Sequence, residues 1–122
     1  MTRVLYIDDD QNNRLLVRRI LMVEGIAVEE ATNARDGINM ASANPPDLIL
    51  MDISMPDMDG LTATGHIRQI PSIAHLPIVA LTANAMTGDR EMILKAGCDG
   101  YISKPINIDS FVQDIMQYIQ AE

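Results

Sequence analysis

The sequence predicts a doubly wound α/β domain built on a five-stranded parallel sheet, and three observations carry that expectation. Apolar strand-like runs at residues 3–7, 27–29, 47–51, 77–81 and 100–103 alternate with segments of helical period, as repeated βαβ units do. The runs VLYI, LILM and PIVAL are continuously apolar, the pattern of strands covered by helices on both faces. Finally, 122 residues, 48% of them hydrophobic, match one domain with one sizeable core. No internal repeat, low-complexity tract or linker divides the chain, so a single domain over residues 1–122 is expected.

Each element has a local reason. The first strand runs straight into Asp8, Asp9 and Asp10, and Asp10 is read as the cap of a first helix made locally basic by Arg14, Arg18 and Arg19. The second strand is polar enough to lie at a sheet edge. Asn33, with Asp36 three residues on, starts the second helix, and Pro45 with Pro46 stops it. DLILM forms the third strand and ends at Asp52. Asp57 and Asp59 lead through a turn to Gly60 and a short third helix that carries His66. They open like a calcium loop, but the D-x-[DN]-x-[DN]-G frame and its distal Glu are absent. LPIVAL ends at Thr82. Gly97 and Gly100 bracket the turn into the fifth strand, GYIS, with Cys98 as a small buried residue beside them. In the last helix Ile108, Phe111, Val112, Ile115 and Ile119 form an apolar stripe, with Gln113, Asp114 and Gln117 opposite.

Nine Lys and Arg against 17 Asp and Glu leave a net charge of −8, with a pI near 4.5. Such a chain has no general electrostatic grip on nucleic acid or anionic lipid, so protein partners are expected. The single cysteine forms no internal disulfide. No apolar stretch approaches the roughly 20 residues needed to span a bilayer. No cleavable signal precedes the first strand, and a cytoplasmic protein is expected.

The chemistry concentrates where strands end. In an open parallel sheet, ligands bind outside the carboxyl ends of the strands, where the strand order reverses. Asp8, Asp9, Asp52, Thr82 and Lys104 all follow such ends. One acidic residue there is an ordinary turn or cap; five suitable groups at one edge make a site. Clustered carboxylates need a compensating cation, and an all-oxygen set with open positions suits Mg²⁺. Asp52, on a central strand beside that cation, is placed to act as a nucleophile toward phosphorus. Lys104 and the Thr82 hydroxyl would then contact the transferring oxygens.

Taken together, the IDD of residues 7–9, LILMDISMPDMDG at 48–60, ALTA around Thr82 and GYISKP around Lys104 resemble the response-regulator receiver domains of two-component signalling, along essentially the whole chain. The resemblance implies a flavodoxin-like (βα)5 fold with strand order 2-1-3-4-5. It implies that Asp52 is the phosphoacceptor, that Asp9 and Asp52 bind Mg²⁺ directly with the backbone carbonyl of Ser54, and that Asp8 acts mainly through water. Lys104 would pair with the acceptor and precede a cis bond to Pro105. Thr82 and Tyr101 would be coupled switch residues, and Ser54 and Asn84 would tune the lifetime of the phosphoryl group. A histidine kinase or phosphotransfer protein would donate it. A downstream protein would bind the face formed by the fourth helix, fifth strand and last helix. The same pattern suits a stand-alone protein or the receiver of a hybrid kinase. The start at Met1 leans toward the former, and with nothing following Glu122 the message is expected to leave by protein contact.

Two other functions compete. An Mg²⁺-dependent phosphohydrolase of the haloacid-dehalogenase type would use Asp52 as nucleophile, but it wants a second Asp two residues later, where this chain has Ser54. A flavin or nucleotide carrier would want a glycine-rich loop after the first strand, and there is none. His66 and His75 are read as solvent-facing or packing residues. The basic face of the first helix is read as solvated, and as a further place for a kinase or phosphotransfer partner to dock.

Overall fold

The computed structural model of the protein describes residues 1–83 and 88–119. Its strands are β1 (Arg3–Ile7), β2 (Ala27–Ala31), β3 (Leu48–Asp52), β4 (Ile78–Thr82) and β5 (Gly100–Ser103), all parallel, in the order β2-β1-β3-β4-β5. Between them run α1 (Gln11–Val23), α2 (Ala34–Ala43), α3 (Gly60–Arg68) and α4 (Asp89–Lys95), and α5 (Phe111–Met116) follows the last strand.

The central strands are apolar on both faces because both faces are covered. Leu5, Ile7, Ile49, Met51, Ile78 and Ala80 pack on one side with Ala34 and Ala41 of α2, Ala63 and Ile67 of α3, and Ile93 of α4. Val4, Tyr6, Leu48, Leu50, Val79 and Leu81 pack on the other with Val17 and Leu21 of α1 and Phe111 and Ile115 of α5. Side chains that alternate along each strand therefore feed two separate cores.

The caps of α1 and α2 fall where the sequence places them, and Asp59, expected in a turn, caps α3. Asp10 accepts from the Asn12 and Asn13 amides, Asn33 from Asp36, and Asp59 from Thr62. β2 is an edge strand, with β5 at the other edge. β2 extends two residues beyond its apolar run because its acids are paired: Glu29 with Arg3, and Glu30 with Arg14 and Arg18. The basic residues of α1 are thus partly spent on β2.

The last helix is shorter than its apolar period implies. The chain turns through residues 107–110, where the Asn107 carbonyl accepts from Ser110 and Phe111, before α5 begins. Ile108 lies outside the helix and is 62% exposed. Phe111 and Ile115 are the stripe's buried members, with Val112 and Ile119 packed partly against them.

Candidate functional site

Going along the sheet, strand order reverses between β1 and β3, which opens a crevice at their carboxyl ends. Ile7 pairs with Met51, so Asp8 and Asp52, the next residue on each strand, stand at the same height. One carboxylate oxygen from each of Asp8, Asp9 and Asp52 lies within 4.8 Å of the others. Asp8 and Asp52 are buried and Asp9 is exposed, so the cluster opens to solvent on one side.

Asp52 receives both of its donors on Oδ1: Lys104 Nζ at 2.9 Å and the Ser54 amide at 3.1 Å. Its Oδ2 accepts from no described residue. Lys104 arrives from the end of β5, its amide donating to the Thr82 carbonyl, and the Lys104–Pro105 peptide is cis as the family pattern implied. Behind Asp52 the packing is close. A Cβ on Gly60 would stand 2.6 Å from the Asp52 carbonyl oxygen and 2.9 Å from Ile53 Cα, so only glycine lets α3 approach there.

Asp8 is held differently. Its Oδ2 accepts from the Tyr6 hydroxyl and from Asn13 Nδ2 at 3.3 Å, and its Oδ1 from the Asp10 amide at 2.9 Å. Burial pushes its carboxyl above the ordinary value. The Tyr6 and Asp10 bonds oppose that shift, and the nearby charge of Asp52 adds to it. Burial, followed by the bond to Asp8, raises the Tyr6 phenol far beyond any physiological pH, so the hydroxyl remains a donor.

Among the described residues neither Asp8 nor Asp9 forms an ion pair, and Lys104 is committed to Asp52. Three convergent carboxylates with so little compensation are a donor set that fits a hard divalent ion.

Thr82 is buried at the end of β4 and its hydroxyl donates to Asp89 Oδ2 at 3.3 Å, at the first residue of α4. Tyr101 is half-buried on β5, with the Arg90 guanidinium 6.0 Å from its ring centroid. Asn84 lies outside the described residues. Asp10 and Asp59 are caps, and Asp57 is a turn residue with φ 67°. His66 and His75 are exposed. Four neighbours of the site escaped the motif reading: Tyr6, Asn13, Asp89 and Arg90. Tyr6 was the one within reach, because residues i and i+2 of a strand share a face.

A parallel doubly wound sheet that sets a lysine-paired carboxylate among two others at its switch point defines a phosphoacceptor signalling domain. The chain belongs to the receiver family of two-component signalling, since the response regulator receiver domain matches residues 4–116.

It is 36% identical over 116 residues to the polar-differentiation response regulator DivK of Brucella anthropi, an alignment covering 95% of this chain and 94% of that protein. Among solved structures it resembles the receiver domain of the Pseudomonas aeruginosa sensor histidine kinase PA1611, which holds a magnesium ion in its active-site cleft. The two share 32% identity at TM-score 0.90, over 98% of each chain. The Vibrio cholerae chemotaxis protein CheY4 superposes at TM-score 0.91 with 26% identity, over 98% of this chain and 99% of that one. Receiver domains exchange signals with histidine kinases or phosphotransfer proteins. No helix among the described residues is long and apolar enough to cross a membrane.

Proposed function

We propose that Asp52 is the phosphoacceptor and that the domain, 1–122, works as a cytoplasmic signalling receiver rather than an enzyme turning over free phosphate esters. The observation that carries this is the asymmetry of Asp52. Lys104 and the Ser54 amide hold Oδ1, and Oδ2 is left without a donor among the described residues. A carboxylate fixed by one oxygen keeps the lone pairs of the other for attack. Asp52 Oδ2 would bond to phosphorus as the phosphorus–nitrogen bond of a phosphohistidine breaks, and the imidazole leaves with that electron pair.

Asp8, Asp9 and Asp52, with the Ser54 carbonyl, are the residues that would hold Mg²⁺, Asp8 mainly through water. Mg²⁺ bound there would neutralise charge on the transferring group. Lys104 supplies a fixed positive charge to a phosphoryl oxygen. Thr82 would exchange Asp89 for another of those oxygens, and Tyr101 would follow it inward, biasing the face of α4, β5 and α5 toward a downstream protein. Ser54 and Asn84, both small and polar, leave room for hydrolytic water and so an intermediate lifetime for the acyl phosphate. Substitution of both should change the hydrolysis rate.

Incubation of the purified chain with Mg²⁺ and a small phosphodonor, read by intact mass, tests the assignment. One added phosphoryl group is expected, absent from Asp52→Asn. Labelling that persists in the variant, or that needs no Mg²⁺, overturns it.

A further inference from the structure

Beneath the carboxylates lies a layer of side chains one pleat down the sheet. Tyr6 of β1 is in register with Leu50 of β3, and Leu50 with Val79 of β4. Of these three, only Tyr6 carries a polar atom, and that atom is aimed at the site: its hydroxyl donates to Asp8 Oδ2. The ring is fully buried in the core that includes Leu50, Val17 and Phe111. Packing thus fixes the ring, and the ring fixes where its hydroxyl points. The phenol is a rigid post standing in the core with its tip against a carboxylate.

The rest of Asp8's surroundings make that contact matter. Its carboxylate is fully buried and has no ion-pair partner among the described residues. Its donors are the Tyr6 hydroxyl and Asn13 Nδ2 on one oxygen and the Asp10 amide on the other, while Arg14 donates to its backbone carbonyl at 2.8 Å. Of the two side-chain donors, Asn13 is the longer contact, at 3.3 Å, and comes from the partly exposed first turn of α1. With Tyr6 and Asn13 on Oδ2 and a backbone amide on Oδ1, Asp8 cannot swing both oxygens toward Asp9 and Asp52.

Cation choice depends on that freedom. Mg²⁺ demands a near-ideal octahedron of oxygens at short distance and keeps several waters. Ca²⁺ accepts six to eight oxygens in flexible geometry and readily takes a carboxylate by both oxygens. We infer that Tyr6 is a positioning residue which, by holding Asp8 Oδ2, denies the cluster two-oxygen coordination from Asp8 and so selects Mg²⁺ over Ca²⁺. The inference rests on the proposed role of Asp8, Asp9 and Asp52 as cation holders. It adds a reason for their selectivity that the acidic residues alone do not contain.

Tyr6→Phe is the discriminating variant, because it removes one oxygen and keeps the ring that fills the core. Titration calorimetry of wild type and variant with MgCl₂ and separately with CaCl₂ reads the two dissociation constants, and circular dichroism confirms that the variant is folded. The Mg²⁺ constant is expected to rise about tenfold, the range typical of lost outer-shell partners. The Ca²⁺ constant should change by less than about threefold, since Asp8 can then turn to suit the larger ion. A merely structural role would weaken both ions alike and leave their ratio unchanged, and that result overturns the inference. Asn13→Ala, which takes the other donor from the same oxygen, should shift the ratio of the two constants in the same direction by a smaller factor. Wild type that binds neither ion, or that binds both as well after Asp9→Asn, overturns the cation site itself. An intact site with an unmoved ratio in Tyr6→Phe overturns only the role of Tyr6.

Discussion

Asp8 and Asp52 stand side by side at equal height on adjacent strands, yet their environments divide them. Asp52 has an ammonium at 2.9 Å. Asp8 has a hydroxyl, an amide side chain and a backbone amide, none of them charged. Desolvation therefore dominates at Asp8 and raises its carboxyl. The native chain binds that proton at higher pH than the unfolded chain. Stability linked to neutral Asp8 is full below the ordinary carboxylate range and is lost as pH rises through the native value. Asp8→Asn cannot ionise and escapes that loss. Without divalent cations, its melting temperature relative to wild type should climb as pH rises above the ordinary carboxylate range. A flat or falling difference in paired thermal melts would show that the Asp8 carboxylate is not penalised by burial.

Between elements, one side chain on the far side of the sheet ties three segments together. Arg68, the last residue of α3, donates to the Gly97 carbonyl after α4 and to the Ala74 and Leu76 carbonyls before β4, and it pairs with Asp99 at 3.0 Å. Asp99 in turn accepts from the Ile78 amide at 2.8 Å. The guanidinium is the common donor to these carbonyls and so holds the two connections to the end of α3. Arg68→Ala should cost about 2–3 kcal/mol, because several charge-assisted bonds to part-buried carbonyls are lost together. Urea denaturation with an unchanged slope and a lowered midpoint would register it. The site should be less affected than the stability, because Gly60 and the caps of α1 and α3 position the acidic end independently of Arg68.

For the molecule as a whole, the balance of charge is the governing quantity. A net charge of −8 with three carboxylates crowded at one edge stores repulsion that a divalent cation relieves at one place. If Asp8, Asp9 and Asp52 hold Mg²⁺, MgCl₂ should raise the melting temperature more than NaCl of equal ionic strength. The corresponding excess in unfolding free energy should grow by about 1.4 kcal/mol for each tenfold of concentration above the dissociation constant. Asp9→Asn should remove most of the excess while keeping the response to NaCl, a contrast that differential scanning calorimetry resolves.

The fold class, the five strands and the acidic and basic groups at their ends are legible in the chain, since hydrophobic period and strand-end chemistry are local properties. The sequence also placed Asp10, Asn33 and Asp59 at helix starts or turns, because a cap depends only on the next three residues. Its errors were local as well: the apolar stripe from Ile108 onward is a pattern of residue types, and the turn through residues 107–110 that strips Ile108 from α5 leaves no mark on that pattern. Which groups meet is settled by the folded arrangement. Lys104 reaches Asp52 across 52 positions of chain, Thr82 turns to Asp89, Arg90 lies over Tyr101, and Arg68 gathers two connections. Tyr6 is the instructive case. By composition it is one more core aromatic. Only its burial, one pleat beneath Asp8, converts an apolar filler into a donor aimed at a carboxylate, because direction is a property of packing and not of residue type.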